Sequence, residues 1–151
     1  MPYNTGMFAS LLLTSGFSFV LDFVVKLLLA LLIGFAIGLE RESRGKDAGI
    51  STHALVIMGA MLFTYISMMD SESTSRIAAQ VVTGIGFLGA GLILKDGGDG
   101  AHVRNLTTAA GLWFSAAIGM AIGYGYYGIA VVSAVAALIV SRIPHIREKR
   151  N

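Results

Sequence analysis

The chain has 151 residues, 55% hydrophobic and 13% charged, with a mean hydropathy of +0.74. That balance excludes an ordinary soluble domain, and about five spans of roughly 20 apolar residues leave only short loops and no length for a separate catalytic domain. The net charge of +2 lies in the gaps between apolar runs, which excludes a basic nucleic-acid face. With no Cys, disulfides, thiolate catalysis and sulfur-ligated metals are excluded too.

The N-terminal stretch MPYNTGMFASLLLTSG lacks a positively charged start and a small-x-small cleavage pattern, so it is expected to be retained. Residues 7–20 are apolar but interrupted by Thr14, Ser15, Gly16 and Ser18, and residues 1–20 read as an apolar lead-in or interfacial segment. Residues 21–141 predict an all-α integral membrane bundle of about five transmembrane helices. The spans fall at about Phe23–Leu39, Thr52–Met69, Ile77–Leu94, Thr107–Gly123 and Tyr124–Val140, followed by a basic tail over 142–151. Asp22 and Lys26, one turn apart at the entrance of the first span, can pair.

Nine of the eleven Lys and Arg fall in three segments: Arg41, Arg44 and Lys46 after the first span, Lys95 and Arg104 after the third, and Arg142, Arg147, Lys149 and Arg150 in the tail. Five spans put these segments on one face, which the positive-inside rule makes cytoplasmic, with the N-terminus outside and the C-terminus inside. Tyr124, Tyr126 and Tyr127 then lie at the outer turn, where an interfacial aromatic belt is expected.

Nineteen glycines in so apolar a chain point to close helix packing, because small residues let backbones approach where lipid removes the hydrophobic drive. Gly34 and Gly38 form a GxxxG on the first span, and Gly119 and Gly123 another on the fourth. Gly84, Gly86, Gly89 and Gly91 crowd the third span, which is expected to sit centrally, and the glycine faces are expected to support a homo-oligomer. The formal GxGxxG at Gly84, Gly86 and Gly89 lies inside an apolar run rather than at a strand-to-helix turn, so no nucleotide site is expected.

Candidate chemistry gathers at the predicted cytoplasmic helix ends. Glu40, Arg41 and Glu42 close the first span, and a carboxylate there opposes the helix dipole unless a partner such as Arg41, Arg44 or Arg104 compensates it. A solvated loop whose charges only set topology is the plain alternative to a polar cluster where two loops meet. His53 has no second His or carboxylate at ligand spacing and is expected to hydrogen-bond rather than hold a metal.

Arg104, Asn105, Thr107 and Thr108 run into the fourth span. Asn105 or Thr107 can cap that helix, and the alternative is an anion such as phosphate at its N-terminus. Gln80 and Thr83 are expected to bond to neighbouring helices, and Asp70 with Glu72 in the outer turn is too thin a set for a divalent cation. No span shows an ionisable residue near its centre, which argues against a proton-coupled pump. No cofactor and no metal site are expected. Scattered Ser, Thr and His without a nucleophile–base pairing argue against an enzyme.

The runs LLLALLIGFAIGLERE, THALVIMGAMLF, VVTGIGFLGAGLIL and VRNLTTAAGLWFSAAIG, in this order over roughly residues 20 to 140, resemble the MgtC/SapB family of bacterial inner-membrane proteins. The resemblance implies a five-span membrane domain and a link to growth or virulence under magnesium limitation, with modulation of the ATP synthase as one expected route. It also implies that Glu40, Arg41, Glu42, His53, Arg104, Thr107, Thr108 and Trp113 are the functional positions. Longer members carry a C-terminal domain resembling an ACT fold; this chain ends at Asn151, so regulation through such a domain is expected to be absent. Ser51 stands where the family often has Arg before Thr-His, and Thr107 where some members have Asn, which weakens transfer at both. The expected function is a non-enzymatic regulator of adaptation to magnesium limitation or acid stress, working through self-association and a membrane protein partner such as the ATP synthase or a transporter. The alternative is a small transporter or channel for Mg²⁺ or another ion.

Overall fold

A computed structural model describes residues 5–69, 75–95 and 105–143, with side chains from Gly16 onward apart from those of Leu94 and Lys95. Five helices follow in chain order: α1 (Thr5–Ser43), α2 (Ile50–Met69), α3 (Arg76–Lys95), α4 (Leu106–Gly123) and α5 (Tyr127–Ser141). No strand occurs among the described residues. Arg104, Asp70, Glu72 and the tail from residue 144 lie outside them.

Among the described residues, four stretches are long and apolar enough to cross a membrane: Gly16–Ser43, Ile50–Met69, Arg76–Ile93 and Leu106–Gly123. The expected fifth span is a shorter apolar helix of 15 residues, about 22 Å against a hydrocarbon core of about 30 Å. It starts at Tyr127 rather than Tyr124 because the chain reverses there, with Gly125 at φ +81°, a left-handed conformation open to glycine. The lead-in is helical and continuous with the first span, so residue 20 is not a helix boundary. The backbone helix runs through Thr14, Ser15, Gly16 and Ser18 without a break, and one glycine costs only about 1 kcal/mol relative to Ala.

The centre of the bundle is α2 and α4, not α3. Helix α4 touches all four other helices, whereas α3 packs only on α2 and α4. Gly84, Gly86 and Gly91 face open space, and Gly89 alone of the α3 glycines meets a neighbour, the Cβ of Ala109. The close approaches lie elsewhere. A Cβ on Gly34 would sit 2.5 Å from the Cα of Ala54, one on Gly38 would strike the backbone of Ile50, and one on Gly119 would strike the carbonyl of Ile57. Gly123 presses on Thr64 and the Met61 carbonyl in the same way. These four glycines let α1 and α4 pack closely on α2, and α1 and α4 also touch each other.

Ala30, Ile33, Ile37, Ile57, Met61, Ile118 and Ile122 fill the space between those helices, joined by Ala130 and Ala134 from α5. The outer surface is as apolar as the interior: Phe87 is 81% exposed and Val132 70%. A soluble protein would not present such a face to water, and lipid accepts it without cost.

Candidate functional site

The C-terminal end of α1, the N-terminal ends of α2 and α4 and the C-terminal end of α5 meet at one end of the bundle. Helix α1 is closed by backbone bonds from Arg44 and Lys46 to the Arg41 carbonyl and from Gly45, at φ +66°, to that of Glu42. This tight turn leaves Glu40 and Arg41 pointing into the bundle and Glu42 free to reach forward. Glu42 Oε2 accepts the N–H of Ile50 at 3.0 Å, so its charge sits at the positive N-terminus of α2.

Glu40 is buried and held by α5 and by its own helix. Ser141 Oγ donates to Glu40 Oε2 at 2.8 Å, and Arg44 Nη1 lies 3.5 Å from Oε1. Arg44 also donates to the Ser141 carbonyl. Arg41 is 4% exposed; its Nη2 donates to Thr108 Oγ1 at 3.3 Å, and Nε has no hydrogen-bond partner. His53, 1% exposed, pairs through Nδ1 with Ser115 Oγ at 2.8 Å, while Nε2 is unpaired. Buried polar atoms are nearly always hydrogen-bonded, yet among the described residues Arg41 Nε and His53 Nε2 at this end, like Thr64 Oγ1 further along α2, have no hydrogen-bond partner, and Glu40 Oε1 faces only the Arg44 guanidinium.

Asn105 does not cap α4. Its backbone is left-handed at φ 61°, no side-chain cap bond forms, and its Nδ2 donates to Asp47 Oδ2 at 2.7 Å instead. Thr107 is exposed, whereas Thr108 one residue on turns inward to Arg41. Trp113 is half exposed and borders a slot of about 370 Å³ between α4 and α5, into which Arg41 and His53 also open. A second, polar cleft of about 740 Å³ is lined by Arg41, Arg44, Lys46, Asn105, Thr107 and Thr108. Among the described residues, no three His, Asp or Glu come together in a way that could hold a metal.

The structure thus brings together Glu40, Arg41, His53, Thr107, Thr108 and Trp113, and sets Glu42 and Asn105 at the rim in bonds of their own. Sequence reasoning missed Ser115, Ser141 and Asp47. Ser115 was detectable as the polar residue seven positions after Thr108, on the same helical face; Ser141 and Asp47 carried no comparable signal. Gln80 and Thr83 are exposed on α3 rather than turned to another helix.

At the opposite end, Lys26 Nζ bonds Asp22 Oδ2 at 2.6 Å and lies over the rings of Tyr65 (5.0 Å) and Tyr127 (5.8 Å). Tyr127 also donates to Asp22 Oδ1 at 3.3 Å. Lys26 is buried at this end of the long apolar helix, compensated locally by a carboxylate and two aromatic faces.

Residues 27–149 match the MgtC family. "Putative magnesium transporter YhiD" of Escherichia coli is 43% identical over 134 residues, covering 82% of this chain and 61% of YhiD. Protein MgtC of Salmonella typhimurium is 47% identical over 117 residues, covering 77% of this chain and 49% of MgtC. The chain therefore spans between half and three-fifths of the length of these relatives. No solved structure matches it. A family match across most of the chain and identities above 40% agree with the all-helical apolar fold, and the chain belongs to the MgtC family.

Proposed function

We propose that this protein is a non-enzymatic regulator in the bacterial inner membrane. It serves adaptation to magnesium limitation or acid stress by binding membrane protein partners such as the ATP synthase or a transporter, and it self-associates. The orientation that fits is the positive-inside one, with the Glu40–Arg41 end in the cytoplasm. The observation that carries the reading is the apolar layer dividing the two polar ends. Between Lys26 and Glu40 the buried α1 residues are Ala30, Ile33, Gly34, Ile37 and Gly38. Between His53 and Thr64 those of α2 are Ala54, Ile57, Ala60 and Met61, and past Ser115 those of α4 are all apolar. A hydrated ion finds no polar partner along that layer, and stripping its water there is prohibitive. What is left for the buried cluster is recognition.

The second reading is magnesium transport, favoured by the name of YhiD. Magnesium flux into sealed proteoliposomes, compared with empty vesicles and with Glu40→Gln and Thr107→Ala, separates the two. Protein-dependent flux that falls in the variants supports transport and ends the regulator reading; flux equal to empty vesicles, with a membrane protein co-purifying with the wild type but lost in Glu40→Gln, supports the regulator.

A further inference from the structure

The guanidinium of Arg41 is almost fully withdrawn from solvent, yet among the described residues no carboxylate lies within ion-pair distance of it. Among those residues its side chain bonds only a neutral hydroxyl, and Nε has no partner. A buried cation in this state is costly unless an anion compensates it. The carboxylates nearby are otherwise committed: Glu40 to Arg44 and Ser141, Glu42 to the N-terminus of α2, Asp47 to Asn105. The negative partner of Arg41 therefore comes from outside this set.

Arg41 lines both cavities at this end. The polar cleft adds Arg44, Lys46, Thr107 and Thr108, and it opens at the N-terminus of α4, whose first N–H groups have no side-chain cap at Asn105. A helix N-terminus with arginine, lysine and hydroxyls around it favours a phosphate oxyanion. The slot between α4 and α5 shares Arg41, Thr107, Val140 and Ser141 with the cleft, and beyond them its wall is apolar apart from the buried His53. Ala110, Gly111, Ala136 and Ala137 keep the two helices from filling it, and Trp113 and Val140 at its edge face outward. One continuous site is thus charged at its cleft end and, His53 apart, apolar along its length.

The geometry points to a binding site for an anionic phospholipid, with the headgroup phosphate against Arg41, Lys46 and the N-terminus of α4, and an acyl chain in the α4–α5 slot. A free phosphate would satisfy the cleft and leave the slot empty. Basic pockets between membrane helices recognise anionic headgroups in this way. The site is independent of whether the protein regulates or transports.

Trp113 is the only tryptophan of the chain and borders the slot, so it reports occupancy directly. The full chain is reconstituted in phosphatidylcholine vesicles containing a small fraction of lipid with brominated acyl chains, either phosphatidylglycerol or phosphatidylcholine. Brominated phosphatidylglycerol is expected to quench Trp113 in excess of brominated phosphatidylcholine at the same fraction. The apparent affinity drawn from that excess falls about tenfold in Arg41→Gln, the loss expected of one charge-assisted contact. In Lys46→Gln, an exposed change that leaves the fold intact, it falls about fivefold. Ala136→Phe fills the slot and removes the excess. Equal quenching by the two lipids, or an excess untouched by Lys46→Gln and Ala136→Phe, overturns the proposal. Abolition of the excess by millimolar inorganic phosphate also overturns it, in favour of a free-phosphate site.

Discussion

Arg41 at the end of α1 donates to Thr108 in the first turn of α4 across 67 residues of sequence, and both side chains are buried. This bond and the Glu40–Ser141 bond beside it tie the first helix to the last two at a single turn. Removing the acceptor while keeping the shape tests it. Thr108→Val leaves a second guanidinium donor unpaired and should lower stability in detergent by about 1–3 kcal/mol, with Thr108→Ser close to wild type. Thermal unfolding of both variants reads this; equal melting of the Val and Ser forms would show that the bond contributes nothing.

Glu40 anchors the same turn through its charge. Glu40→Gln keeps a hydrogen-bond acceptor for Ser141 but loses the ion pair with Arg44. The variant should insert at normal levels and yet lower growth of a dependent strain under magnesium limitation. Unchanged growth at matched membrane abundance would remove Glu40 from the functional cluster.

The glycines separate into two groups with opposite expectations. Gly34→Ala and Gly119→Ala place a Cβ against the backbone of α2, so both should destabilise by about 1–3 kcal/mol as the helices are forced apart. Gly84→Ala meets nothing within 4 Å and should be neutral or stabilising by up to about 1 kcal/mol through helix propensity. Denaturation in one detergent ranks the three, and a Gly84→Ala as damaging as Gly34→Ala would contradict this packing.

The open face of α3 is where self-association is expected, since Gly84, Gly86 and Gly91 meet no neighbour among the described residues. Gly84→Leu should leave the monomer fold intact and reduce cross-linked dimer in membranes by severalfold. Cross-linking that survives the change would move the interface to another helix.

Lys26 and Asp22 should show coupling. Lys26→Met leaves Asp22 without its nearest cation and Asp22→Asn leaves Lys26 buried without its carboxylate, so each single change should cost more than its share of the double. Asp22 is partly exposed, which holds the coupling energy to about 1–2 kcal/mol. A thermodynamic cycle giving zero coupling would mean the aromatic rings, rather than the carboxylate, keep Lys26 in place.

Read alone, the sequence determined the class, the family and most helix limits, because apolar length and the ordered motif runs are local properties of the chain. It also marked Glu40, Arg41, His53 and Thr108, since polar residues at the ends of apolar runs stand out. Only the tertiary structure decided which helix is central and which glycines pack. The lipid-facing and protein-facing sides of α2, α3 and α4 are both apolar, so periodicity, which separates inside from outside in water, carries little burial signal in a membrane. The same holds for the partners of the cluster: Ser141 looks like an ordinary small residue until α5 lies on α1, Ser115 shares the face of Thr108 but has no visible partner until α2 lies on α4, and only that packing gives His53 and Glu40 something to hold.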